Sequence, residues 1–149
     1  AKETPTTPAI WSRAIGQGAV DFIAWDPTGR DLHLIEVKDY RIGAKVVPAE
    51  LPDVLARKTR DTLAALALAQ TVPASDVSGI ASKLPSCGKL SVWLDVNWPT
   101  PAPGSLQPSA RVLRMNLLLG VRRCLGPVKN QANVVDRTCP TPWSVRDLS

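Results

Sequence analysis

Residues 21–38, Asp-Phe-Ile-Ala-Trp-Asp-Pro-Thr-Gly-Arg-Asp-Leu-His-Leu-Ile-Glu-Val-Lys, constrain the fold more than any other part of the chain. They read as two strands joined by a turn. Pro27-Thr28-Gly29-Arg30 carries turn chemistry, since proline presets one turn position and glycine tolerates a positive φ. A loop of these four residues pairs Asp26 with Asp31 and brings Asp21 directly opposite Glu36. Lys38 lies two residues beyond Glu36 and so shares its face, together with Ile23, Trp25, Leu32 and Leu34 nearer the turn. The other face carries Val20, Phe22, Ala24, Ile35 and Val37. A hairpin apolar on both sides belongs inside a sheet covered on both faces. A bulge at Gly29 would shift the pairing by one residue and move Asp21 to the wrong side.

Two carboxylates and a lysine on one face are costly to assemble unless a cation occupies the cluster. Asp21, Glu36 and the Val37 carbonyl are hard oxygen donors of the kind that suit Mg2+ or Mn2+, and Zn2+ less well. The Glu-x-Lys spacing sends the Val37 side chain into the core and leaves its carbonyl within reach of a metal. In a phosphodiesterase, Lys38 on that face would orient the attacking water or stabilise developing negative charge.

A long helix is expected from Pro48 to Thr71, stopped by Pro73. At about 100° per residue, Leu51, Val54, Leu55, Ala65, Leu66, Ala69 and Val72 form one apolar stripe, while Arg57, Arg60 and Ala64 point away. Lys58 falls near the middle of the stripe, beside Thr62 and Asp61. A lysine there either snorkels from the helix end or reaches into the carboxylate cluster or towards a substrate phosphate. Elsewhere, 8–15 suggests a short helix, 75–84 a turn or two of helix, 89–96 a strand and 98–108 a proline-rich loop. Residues 110–125 fit a helix or a strand through 112–119, and 132–137 a last strand.

The chain has 149 residues, enough for one domain with a real core, 1–149, with 1–8 a linker or disordered end. A first residue Ala in place of Met suggests a processed product or a piece of a longer polypeptide. The net charge of +5 suits a polyanionic partner. Tyr40 and Arg41, just past Lys38, are candidates for stacking on a base and contacting phosphate, and Trp98 and Trp143 for exposed stacking surfaces. Strand parity sends His33, the only histidine, away from Asp21, which argues against two-histidine ribonuclease chemistry and histidine zinc sites. No glycine-rich phosphate loop suggests a nucleotide cofactor, and no apolar run is long enough to span a membrane. Cys87, Cys124 and Cys139 lack metal-ligand spacing; they read as free thiols, with a Cys124–Cys139 bridge as the alternative.

Asp21, then fourteen residues, then Glu36-Val37-Lys38, resembles the PD-(D/E)XK, or restriction-endonuclease-like, nuclease superfamily. The resemblance implies an α/β fold whose mixed central sheet is flanked by helices and whose core runs helix, three strands, helix, strand. It covers residues 18–97 as a nuclease core and leaves 98–149 as a C-terminal extension. It implies catalytic roles for Asp21, Glu36 and Lys38, with Lys58 as a further candidate, and a Mg2+- or Mn2+-dependent cut in DNA or RNA. An upstream Glu found in many members is lacking, since Glu3 is the only acidic residue before Asp21, and a first strand is hard to place between Ile15 and Asp21. The size, basic charge and threonine/proline lead-in resemble C-terminal toxin domains of bacterial polymorphic toxins, including contact-dependent growth inhibition effectors. That likeness implies action on DNA or tRNA in a bacterial cytoplasm, delivery as part of a secreted or cell-surface effector, and a cognate immunity protein. A housekeeping resolvase, repair or restriction nuclease, a non-catalytic nucleic-acid-binding module and a plain interaction domain stay open as alternatives.

Overall fold

The structure, a computed structural model, describes residues 9–12, 18–42, 47–72 and 77–142. Its strands are β1 (Ala9–Ser12), β2 (Phe22–Asp26), β3 (Asp31–Asp39), β4 (Lys89–Asn97) and β5 (Ala132–Val135). Its helices are α1 (Leu51–Ala69), the single turn α2 (Ser78–Ala81) and α3 (Ala110–Leu125). The strands form one five-stranded sheet in the order β1-β2-β3-β4-β5. The first two pairings are antiparallel and the last two parallel, so the sheet is mixed and the class is α/β.

The hairpin register is the one its turn residues imply: Phe22 pairs with Ile35, Ala24 with His33 and Asp26 with Asp31, with no bulge. The turn closes by a different device. Arg30, not Gly29, takes the left-handed conformation, with φ 54°. Asp26 Oδ1 accepts the Thr28 N–H at 2.9 Å, an Asx turn. A Cβ at Gly29 would lie 3.0 Å from the Asp31 carboxylate, a tight contact that the aspartate side chain would have to relieve.

Parallel neighbours need crossovers, supplied by α1 with α2 between β3 and β4, and by α3 between β4 and β5. Crossovers of one hand that step in one direction across a sheet leave their helices on the same face. That is the arrangement here. Ile23, Trp25, Leu32 and Leu34 pack with Leu66, Ala69, Ile80 and Ala81; Val92, Leu94 and Val96 pack with Leu51, Leu55, Val121 and Leu125. Leu32, Leu34, Leu55, Leu66 and Leu94 are fully buried, each contributing about 1.5–3 kcal/mol relative to exposure. The described helices take one face of the sheet. On the other, Ala24 and Ile35 are buried, with Phe22, Val37 and Trp93 partly buried around them.

One further expectation changes. Ala9–Ser12 is a strand paired to β2, where a helix over 8–15 was expected, and no strand lies among the described residues between Ile15 and Asp21. The described part of the C-terminal segment, 98–142, contributes α3 and β5 to the same core and sheet. Within α3 the ambiguity resolves to helix, begun by Ser109, whose side chain accepts the Val112 N–H, and ended at Gly126 with φ 59°. The lead-in 1–8 and Trp143 lie outside the described residues.

Candidate active site

β3 delivers Glu36 and Lys38 to the helix-covered face near its carboxyl end, and α1 lies over them. The Glu36 side chain is fully buried. Lys38 Nζ stands 2.5 Å from its Oε1, and Lys58 Nζ, reaching down from α1, stands 2.7 Å from Oε1 and 3.0 Å from Oε2. Asp21 immediately precedes β2, where the β2–β3 pairing ends. Its Oδ2 accepts the Val37 N–H at 2.8 Å, and its Oδ1 lies 4.0 Å from Lys58 Nζ.

Four of the sequence candidates, Asp21, Glu36, Lys38 and Lys58, thus meet in one cluster. A buried carboxylate with two ammonium partners is not a solvated surface ion pair. Removing either side of such a group leaves uncompensated charge and costs about 3–5 kcal/mol. The cluster opens to solvent on one side, the Asp21 side chain being 37% exposed and that of Lys38 29%. Burial alone would lower the Lys38 pKa, but its hydrogen bond to Glu36 and the charges of Glu36 and Asp21 outweigh it and hold the ammonium above its ordinary value. Lys38 therefore stays positively charged at neutral pH and is a poor base.

Lys58 reaches the cluster because the buried stripe of α1 differs from the expected one. Leu51, Leu55, Ala56, Thr59, Thr62, Leu66 and Ala69 are buried, while Val54 and Ala65 are partly exposed and Val72 is 54% exposed. Lys58 borders this stripe on the side of the carboxylates. Thr62, which the sequence offered only as a neighbour of Lys58, locks the arrangement: its hydroxyl accepts the Val20 N–H at 3.0 Å and donates to the Lys58 carbonyl at 2.7 Å.

The other candidates lie apart. Tyr40 packs on the apolar cluster around Leu51 and Val96, and burial raises its hydroxyl pKa. Arg41 pairs with Asp39 at the surface, Nη2 to Oδ2 at 2.5 Å. Trp98 is partly buried against the same cluster as Tyr40. His33 is buried on the opposite face, its Nδ1 accepting from Trp93 Nε1 at 3.1 Å. All three cysteines are free thiols. A second polar group, not anticipated, joins β4 to the end of β5: Asn97 donates to Asp95 at 3.0 Å, and Asp136 accepts from Arg114 and Thr138.

No protein-family model, curated protein or solved structure matches this chain. Among the described residues no group of three or more His, Cys, Asp or Glu side chains gathers as a metal cage. Asp21 and Glu36 nevertheless fit Mg2+ or Mn2+ by donor type, because such ions are commonly held by one or two carboxylates, with water and substrate phosphate completing the shell. N–H and C=O of one strand residue leave by the same edge. The Val37 carbonyl thus faces the side on which Asp21 takes its N–H. No helix among the described residues is long and apolar enough to cross a membrane.

Proposed function

We propose that this chain is a metal-dependent nuclease that hydrolyses phosphodiester bonds in DNA or RNA. The observation that carries the reading is the convergence of Asp21, Glu36, Lys38 and Lys58 at the open end of a hairpin, with Glu36 fully buried. The element order also supports it. A strand, a strand led by the Asp, a strand ending in Glu-x-Lys, a helix and a parallel strand follow one another, as the restriction-endonuclease-like core would require. The net charge of +5 favours a polyanionic substrate.

Asp21, Glu36 and the Val37 carbonyl would hold Mg2+ or Mn2+, whose contribution when bound is to polarise the scissile phosphate. The remaining chemistry belongs to the chain. Glu36 fixes the Lys38 ammonium, which faces the opening and stabilises negative charge as it develops on the phosphate oxygens. Because its pKa is held up, Lys38 keeps its positive charge at neutral pH and acts as a fixed cation beside the phosphate. Asp21, tied to the Val37 N–H, keeps the lead-in to β2 aligned with the carboxyl end of β3.

The test is incubation with plasmid DNA and with total tRNA, with and without Mg2+ or Mn2+. Wild type should cut one of them, and Glu36→Gln and Lys38→Ala should each lose on the order of a hundredfold or more in rate. Cleavage indifferent to both substitutions and to a chelator would sink the reading. A biological role as a bacterial toxin domain follows as part of the same proposal. Expression in a bacterial cytoplasm should arrest growth, and Glu36→Gln should relieve the arrest.

A further inference from the structure

Lys58 Nζ stands between the two carboxylates, 2.7 and 3.0 Å from the Glu36 oxygens and 4.0 Å from Asp21 Oδ1. These are the oxygens a divalent ion would need. An ion such as Mg2+ binds its ligands at about 2.0–2.1 Å, so it and this ammonium cannot use the same gap together. Charge leads to the same conclusion. Asp21 and Glu36 are already balanced by Lys38 and Lys58, and a divalent ion added to all four would leave two uncompensated positive charges beside a fully buried carboxylate.

We propose that Lys58 is a tethered cation that competes with the divalent ion for Glu36 and Asp21, so that the ion binds when Lys58 withdraws. The inference rests on the metal-dependent reading above and adds a regulator to that site. Withdrawal is sterically open: the Lys58 side chain is 18% exposed, its four-carbon stem is flexible, and it borders the partly exposed Asp21. A substrate phosphate would give the released ammonium a new partner. Metal and substrate then bind with positive coupling, each tightening the other by the same factor. While Lys58 occupies the gap, the apparent metal affinity falls in proportion to the competent fraction.

Mn2+ binding to the isolated protein, read by the electron paramagnetic resonance of free Mn2+ without substrate, tests this. Lys58→Met and Lys58→Gln should bind Mn2+ roughly tenfold or more tightly than wild type, Lys58→Arg should stay as weak as wild type, and Asp21→Asn should lose binding. Lys58→Gln keeps a hydrogen-bond donor towards Glu36 and carries the test if Lys58→Met does not fold. If both neutral variants bind no better than wild type while Asp21→Asn abolishes binding, the metal site stands and the tethered cation is wrong. If neither wild type nor the neutral variants bind Mn2+ at all, the metal-dependent reading fails and takes this inference with it.

Discussion

Thr62 holds together the two halves of the candidate site with a single hydroxyl. It accepts from Val20 N–H, which sets the approach to Asp21, and donates to the carbonyl of Lys58. Replacing it with the near-isosteric valine would strand a buried N–H, since Val20 is only 5% exposed. A buried donor without an acceptor costs about 1–3 kcal/mol. Thr62→Val should therefore lower unfolding stability by that amount in urea titrations, and an unchanged midpoint would show that Val20 finds another acceptor. The residue is hard to pick out from sequence, because a threonine on a stripe of leucines and alanines reads as filler. Asp21, Glu36 and Lys38 are legible for the opposite reason. Side chains alternate along a strand, so fixing the turn fixes which acids face each other. Lys58 is legible as an anomaly on an apolar stripe, but its partner appears only when α1 is laid over β3.

At the scale of elements, α1 and α3 meet where Pro52 approaches Gly120. A Cβ at Gly120 would lie 3.0 Å from the Pro52 ring. In a free helix, glycine to alanine gains about 1 kcal/mol. Here the neighbour is a rigid ring in the first turn of α1, so relief requires the two helices to part, and overpacking typically costs about 1–3 kcal/mol. The packing term should win. Gly120→Ala should lower the thermal midpoint, and a raised midpoint would mean that the start of α1 yields easily. The elements themselves differ in how clearly they are written. β3 and β4 show sustained apolar patterns bounded by turn residues. β1 is four residues long, too short for its alternation to outweigh a helical reading, and only its pairing with β2 defines it. α3 is ambiguous because it carries apolar residues on both sides, with Val112, Met115 and Leu119 about half exposed. The Ser109 cap and the positive φ at Gly126 mark its ends. The one-sided placement of the helices depends on topology, which local patterns do not encode.

For the molecule as a whole, the titrating groups define the pH range in which the fold is most stable. Burial holds the His33 pKa below 6.5, and the N–H that Trp93 donates to its Nδ1 also disfavours a proton there. As pH falls through 6.5 the unfolded chain takes up that proton first, so stability declines. At lower pH, hydrogen bonds from Arg41 hold Asp39 at about 2. Burial would raise Asp136, but hydrogen bonds from Thr138 and Arg114 prevail and lower it. Both carboxylates add stability above 3.8 that is lost as pH falls through their folded values. Asp95 has the opposite sign, because burial raises its pKa and the folded state takes its proton first. At the alkaline end, Lys38 lies above 10.5, and its contribution is lost as pH rises through that raised value. Burial also raises the Cys124 thiol and the Tyr40 hydroxyl, which the unfolded chain ionises first, so stability should be greatest between 6.5 and 9.0, the ordinary values of His33 and Cys124. His33→Gln isolates the first step, since glutamine can still accept the Trp93 N–H but does not titrate. Urea unfolding of both proteins from about pH 8 to pH 5 should show wild type losing stability relative to the variant, with Asp95 cancelling in the difference. Parallel curves would mean that His33 gains its proton in the folded state as readily as in the unfolded chain.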